Sequence, residues 1–347
     1  MQSSAHLTDA ARPGWLRGPR FDALFIGGVF LLALALGLLA GSSEAAFMNV
    51  LLLDVWLIAY PHVASTYTRI AFDKGSAKRH WFLLTLLFPI VLGATALTTY
   101  LWGAVFLNSL YFYWQTFHYS RQSYGIARAY GRAAGLQGPA TDSLTTLVIA
   151  AFPVWGLIHR ASQQQPIFYS AALYSPPIAS SIAAVVGAGT LALFTVWLLR
   201  RLRSPSATRK AQRGQTLFVL SHVAMTFISY IAIAEVTAGW LFINVWHNAQ
   251  YIVFVWATNA REFRTGVQPE KRFISWLSQP RNVLFYAAAC LGLSTVTYLV
   301  LGIVTARLQW NTLPTVMVVF LAFNFHHYVV DAVIWRSPAP PRDRTQH

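Results

Sequence analysis

The chain has 347 residues, of which 56% are hydrophobic and only 11% charged, with a formal net charge of +15. Soluble domains carry about 25% charged residues, so this composition excludes a water-soluble core as the main architecture. The basic residues sit in short stretches between apolar segments, which makes them a topology signal and argues against a nucleic-acid partner.

A basic tail, 1–22, precedes the first apolar segment. Crossing about 30 Å of hydrocarbon takes roughly 20 largely apolar residues. That rule predicts ten spans, at 23–40, 47–72, 82–101, 104–126, 143–159, 178–200, 215–235, 240–258, 282–304 and 314–335. The first is long and has no clear small-residue cleavage pattern after it, so it reads as a retained helix and not as a signal peptide. Between the fifth and sixth spans, 160–177 reads as the longest loop, a candidate lid or re-entrant segment, with Gln163, Gln164, Gln165 and Pro176–Pro177. The single cysteine, Cys290, lies in an apolar segment, which rules out disulfides and thiolate clusters within the chain. A Pro/Arg-rich tail, 336–347, follows the membrane domain, 23–335.

Orientation follows from the loops. Arg12, Arg17 and Arg20 precede span one; Lys74, Lys78 and Arg79 follow span two; Arg128 and Arg132 follow span four. Arg200, Arg201, Arg203, Arg209, Lys210 and Arg213 follow span six, and Arg261, Arg264, Lys271, Arg272 and Arg281 follow span eight. Arg336, Arg342 and Arg344 close the chain, while Arg160 and Arg307 are the exceptions on the opposite side. The alternation predicts an all-α, multi-pass bundle in the cell's inner (plasma) membrane with both termini cytoplasmic. Arg69, Arg121 and Arg128, near cytoplasmic span ends, are expected mainly to snorkel to the interface, with a reach of Arg121 towards the site as the alternative.

Four histidines, His6, His80, His159 and His347, fall in tails, a loop or a span end. The other six, His62, His118, His222, His247, His326 and His327, lie inside apolar segments, where an ionisable group is costly and signals function. Those of spans two, four, eight and ten precede the cytoplasmic end by about 12–17 Å at the helical rise, and His222 reaches nearly the same level from the opposite direction. Five helices thus present imidazole, the commonest metal ligand, in one layer. Each histidine taken singly is as well explained as polar glue between helices. Their shared depth makes all six metal-ligand candidates.

Polar neighbours surround them. Gln115 and Gln122 flank His118, Asn244 and Gln250 flank His247, and Asp331 follows His327 by one helical turn. Asp54 lies near the face of His62. Asp331, Tyr251 and Tyr119 are the catalytic candidates. Asp54 and Asp331 are the clearly intramembrane carboxylates, too few for a carboxylate-bridged di-iron centre. No HExxH, HxxxH or HxxHH box is present. A histidine-dominated non-haem iron site fits this donor set, and zinc and copper also accept imidazole.

The pattern resembles the Brp/Blh-type membrane β-carotene 15,15′-dioxygenase family. Pro61-His62 looks like its first Pro-His element, His118 stands at its second histidine, His247 with Phe254-Val255-Trp256 looks like its third element, and His326 with Asp331 resembles its final histidine-to-aspartate spacing. The chain departs at Thr66, where the family has Asp, at Tyr251, where it has a second histidine, and at Phe325, where it has Pro. The resemblance covers four short windows and implies a helical membrane fold with a non-haem iron and a carotenoid-like substrate; together with the shared depth it puts His62, His118, His247 and His326 forward as the ligands, and His222 and His327 as the next candidates.

Three functions are therefore expected to compete. The first is a non-haem-iron, O2-using oxidoreductase acting on a lipophilic substrate from the bilayer, with an electron donor as a further partner. The second is a haem b electron carrier with bis-histidine ligation. The third is a transporter with a His/Asp relay. Aromatic residues, 15% of the chain, flank the histidines and would line an apolar channel, although packing and interfacial anchoring account for most of them.

Overall fold

The computed structural model describes residues 14–135, 141–168, 171–308 and 313–335. Residues 1–13 of the basic tail, with His6 and Arg12, and the whole tail 336–347, with His347, lie outside the described residues. The described chain is helical apart from one short antiparallel pair, Ile167–Phe168 with Ala171–Ala172.

Among the described residues nine long helices form the bundle: α1 (Pro19–Ala40), α2 (Glu44–Tyr67), α3 (Leu87–Ala133), α4 (Ser143–Ser162), α5 (Ser180–Arg203), α6 (Arg213–Ala232), α7 (Val236–Glu262), α8 (Pro280–Leu308) and α9 (Thr315–Ile334). Eight of them are long and apolar enough to cross a membrane. The exception is α7, whose Asn244, His247, Asn248 and Gln250 lower its hydropathy; it is nevertheless buried along most of its length and packs against α1, α2, α3, α6 and α8. A polar helix in the middle of an apolar bundle is where a site belongs.

The 47 residues of α3 would run about 70 Å as a straight helix. They do not, because Gly103 adopts φ 81°, ψ 171°, which only glycine takes up without strain. Val91 and Trp114 would stand about 35 Å apart on a straight helix. Both pack instead into one cluster with Val318, Phe325 and Tyr328 of α9, so the chain doubles back at Gly103. The predicted spans 82–101 and 104–126 are these two arms, although the first begins with a separate short turn, Trp81–Thr85.

Caps and pins hold the helix ends. Ser43, Asp142 and Glu235 cap α2, α4 and α7 through backbone N–H groups. Asp22 is fully buried, accepts the backbone N–H groups of Leu16, Arg17 and Gly18, and takes the Tyr130 hydroxyl, tying the N-terminal segment to the end of α3. Arg160, an exception in the charge pattern, is 3% exposed. Its guanidinium donates to the carbonyls of Ser229, Ile233 and Ala234 at 2.8, 2.5 and 2.5 Å, so it satisfies the otherwise open C-terminal end of α6.

The 160–177 segment packs on α3 just after its Gly103 turn and on the N-terminal part of α7. Phe168 is fully buried against Phe112 and Trp240, and Asn108 donates to the carbonyls of Phe168 and Ala172 at 3.2 and 3.0 Å.

Candidate metal centre

The local chemistry of α2 explains how His62 is aimed. Pro61 lacks an N–H and cannot close the regular ladder. The turn before it, Val55–Ala59, widens to a π-helix, which absorbs one extra residue. That slip brings Asp54 and His62, about 80° apart on an unbroken α-helix, onto nearly the same face.

Four rings from four helices meet beside α7: His62 of α2, His118 of α3, His247 of α7 and His327 of α9. The Nε2 atoms of His62 and His327 are 2.8 Å apart. Ring centroids lie 4.8 Å apart for His62–His247, 5.0 Å for His118–His247 and 5.1 Å for His118–His327. One ligand atom from each of His62, His118 and His247 falls within 4.8 Å of the others, and the same holds for His118, His327 and Asp331. All five residues are buried.

The hydrogen bonds fix one tautomer. The Thr66 hydroxyl donates to Asp331 Oδ1 at 3.1 Å, and the Tyr251 hydroxyl donates to the same oxygen. Thr66 Oγ1 therefore has only lone pairs left for His327 Nδ1, 3.2 Å away, so Nδ1 carries the proton and Nε2 presents a bare lone pair to the centre. A second network holds the other side. Tyr119 donates to Asn244 Oδ1 and Asn244 to Asp54 Oδ2, both at 2.5 Å, while Trp240 donates to Gln115 at 2.7 Å and Gln122 to the carbonyl of His247 at 3.1 Å. Tyr328 stacks on His118 with centroids 4.3 Å apart.

Several donor atoms remain without a protein partner: His62 Nδ1, His118 Nε2 and both ring nitrogens of His247. An unsatisfied buried polar group costs about 1–3 kcal/mol, and these atoms sit on three of the four rings, so the cluster calls for a ligand that would take one nitrogen from a ring. The distances suit a metal ion. Metal–imidazole bonds of about 2.1 Å place adjacent nitrogens about 3.0 Å apart and opposed ones about 4.2 Å apart. The 2.8 Å His62–His327 pair, which is also a hydrogen-bonding distance, fits an adjacent pair. It is too close for two axial ligands on opposite faces of a haem.

Two of the six candidate ligands lie elsewhere, among them His326, which the sequence puts forward ahead of His327. His326 turns away from the centre, with Nε2 2.8 Å from the Leu83 carbonyl and Nδ1 2.9 Å from the Tyr67 hydroxyl. Neighbouring residues on a helix point about 100° apart, so only one of the His326–His327 pair can face the centre. His222 points away from the cluster: its Nε2 lies 3.0 Å from the Ile149 carbonyl and its ring lies against Trp246. Of the catalytic candidates, Asp331 and Tyr251 adjoin His327, and Tyr119 reaches the centre through Asn244 and packs on the His247 ring, 4.1 Å away. Thr66, read from sequence only as a departure from the resembled pattern, proves central. It also meets the other departure, Tyr251, at 3.0 Å.

The cluster opens on a cavity of about 1100 Å3, lined by His62, His118, His247 and His327 at one end and by Gly302, Thr305 and Thr315 at the other. From His327 to Thr315 it runs about 18 Å along α9. Its walls between these ends are largely apolar, with Val55, Tyr298, Met317, Phe320, Leu321 and Tyr328 among them. Compared with known protein families, curated proteins and solved structures, the chain matches none.

Proposed function

We propose that the protein is an integral-membrane, non-haem-iron oxidoreductase that uses O2 on a lipophilic substrate such as a carotenoid or another lipid. The observation that carries this reading is the convergence of four imidazoles, several of their nitrogens unpartnered, at one end of a largely apolar cavity of about 1100 Å3. His62, His118, His247 and His327 would hold the iron, which supplies one-electron chemistry with O2 when bound. Thr66, Asp331 and Tyr251 hold the ring of His327 and its tautomer. Asn244, braced by Asp54 and Tyr119, keeps α2, α3 and α7 in register around the cluster. The cavity walls exclude water and align an extended apolar chain with its reacting bond against the histidines. The resemblance to the β-carotene dioxygenases supports the same class.

The topology belongs to this reading. Ten crossings result when the two arms of α3 count separately and α7 is included; both termini then face the cytoplasm, and an electron donor would approach from that side of the inner membrane. A His/Asp relay is the second reading, favoured by the unbroken contact series His62, His327, Thr66, Asp331, Tyr251 and Trp335.

Metal analysis with an optical spectrum tests the proposal. Protein purified in mild detergent without chelator is expected to hold iron and to lack the Soret band of haem. Protein devoid of any transition metal after expression with iron available would leave the relay as the better account.

A further inference from the structure

A second cavity, of about 620 Å3, lies on the other side of the histidine cluster from the large one. His118, Tyr251, Tyr328 and Asp331 form its floor. Its walls carry Trp114, Phe117, Phe254 and Val329, and its mouth carries Arg121, Arg128, Arg132, Arg261 and Arg264, with Arg17 beside them. One face of α3 accounts for much of this. Trp114, His118, Arg121, Gly125, Arg128 and Arg132 follow one another at three- or four-residue steps and form one stripe, aromatic at the floor and cationic at the mouth. Gly125 leaves open space midway, since a side chain there would meet nothing within 4 Å. Between His118 and Arg132 the groove runs about 21 Å, more than half of the roughly 30 Å hydrocarbon thickness.

No described carboxylate pairs with the arginines of the mouth. Among the described residues, ion pairs form at Arg69, Arg201 and Lys271, and none involves Arg121, Arg128, Arg132, Arg261 or Arg264. The carboxylate lining the groove, Asp331, is at the floor and already takes the hydroxyls of Tyr251 and Thr66. The positive-inside rule places arginines at cytoplasmic helix ends, but it does not gather five of them around one slot. The other end arginines show the contrast: Arg201 is spent on Asp142, Thr145 and Gln215, and Arg69 on Glu262 and Asn259. Guanidinium groups recognise phosphate oxygens in bidentate fashion, and an apolar slot behind them suits a hydrocarbon chain.

We propose that this groove binds an amphiphile of the bilayer whose phosphate head carries a net negative charge, with the head among Arg128, Arg132 and Arg261 and the chain lying inward over Phe117 and Trp114 towards Tyr328. The site does not depend on iron at the cluster. Phosphate recognition is shared by membrane phospholipids and by soluble phosphate esters, and the length and apolar lining of the groove select the lipid.

The test uses the full chain in mild detergent, titrated with phosphatidylglycerol, phosphatidylcholine or glycerol phosphate and read by native mass spectrometry. The expected result is one retained phosphatidylglycerol that neither phosphatidylcholine nor millimolar glycerol phosphate displaces. The triple change Arg128→Gln/Arg132→Gln/Arg261→Gln should weaken its retention by at least about tenfold, while Arg200→Gln/Arg203→Gln, at the exposed end of α5, should not. If the triple variant does not fold, phosphatidylglycerol with brominated chains replaces that arm. It should quench tryptophan emission in the unmodified protein, and Trp114→Phe should remove part of that quenching. Equal retention of both phospholipids, equal loss in both arginine sets, or displacement by glycerol phosphate would overturn the proposal. So would failure to retain any lipid, the result expected if the arginines serve an acidic protein instead.

Discussion

Replacing each member of the adjacent pair His326 and His327 by alanine separates a ligand from a structural histidine one position away. His327 presents Nε2 to the centre, 2.8 Å from His62 Nε2, with Nδ1 held by Thr66. His327→Ala removes a donor, and because even the loss of a partner that merely orients a metal ligand costs about 10- to 100-fold in affinity, the iron content should fall by at least that factor at limiting iron. His326 makes two hydrogen bonds, to the Leu83 carbonyl and the Tyr67 hydroxyl, and none to the cluster. A net hydrogen bond is worth about 0.5–1.5 kcal/mol, and a buried acceptor left open costs about 1–3 kcal/mol. His326→Ala should therefore lower stability by about 2–4 kcal/mol on the same scale and leave iron per protein unchanged. The assays are iron stoichiometry by mass spectrometry and thermal unfolding in detergent, on monodisperse fractions of both variants. If His326→Ala lost the metal and His327→Ala kept it, the assignment of faces on α9 would be wrong.

Asp331→Asn should act more mildly than removing a ring, costing about 10- to 100-fold in iron affinity through the freed orientation of His327, and Thr66→Val should do the same because it breaks the link between them; equal iron affinity in all three proteins would contradict this. Gly239→Ala places a Cβ 2.1 Å from the Ser229 carbonyl and 2.7 Å from the Arg160 guanidinium, so thermal unfolding should show a loss of about 1–3 kcal/mol, and an unchanged melting temperature would show that α6 and α7 approach less closely. Ser206→Cys in a Cys290→Ala background should react with impermeant thiol reagents only from the cytoplasmic side, and labelling of intact cells from outside would invert the topology.

Much of the bundle was legible because span length and hydropathy are one-dimensional signals. The break between spans three and four was placed within a residue or two of Gly103 from the polarity pattern alone. The membership of the centre was legible only in part. Depth is set by position along a helix, and it put His62, His118, His247 and His327 among six candidates, although His326 stood ahead of His327. Rotation about the helix axis is set by tertiary packing, so depth also admitted His222, which faces α4, and it could not choose between His326 and His327. The resembled spacing to Asp331 pointed to His326; the i,i+4 relation pointed to His327, and the structure follows the latter. Thr66 stands one turn after His62 and was noticed as a mismatch, yet its role needs the approach of α9 to α2, which no local pattern announces. The arginine groove had a local signal that went unread, the stripe from Trp114 to Arg132, because each arginine taken singly satisfies the topology rule.

Iron K-edge X-ray absorption on protein purified without chelator addresses the central claim most directly, since it reports both the metal and the atoms around it. The account predicts an iron edge with a first shell of nitrogen or oxygen near 2.1 Å and the outer-shell scattering of about four imidazoles, diminished in His62→Ala, His118→Ala, His247→Ala and His327→Ala but not in His222→Ala or His326→Ala. An iron-free protein, or an iron signal lacking imidazole scattering and indifferent to those four changes, would contradict it.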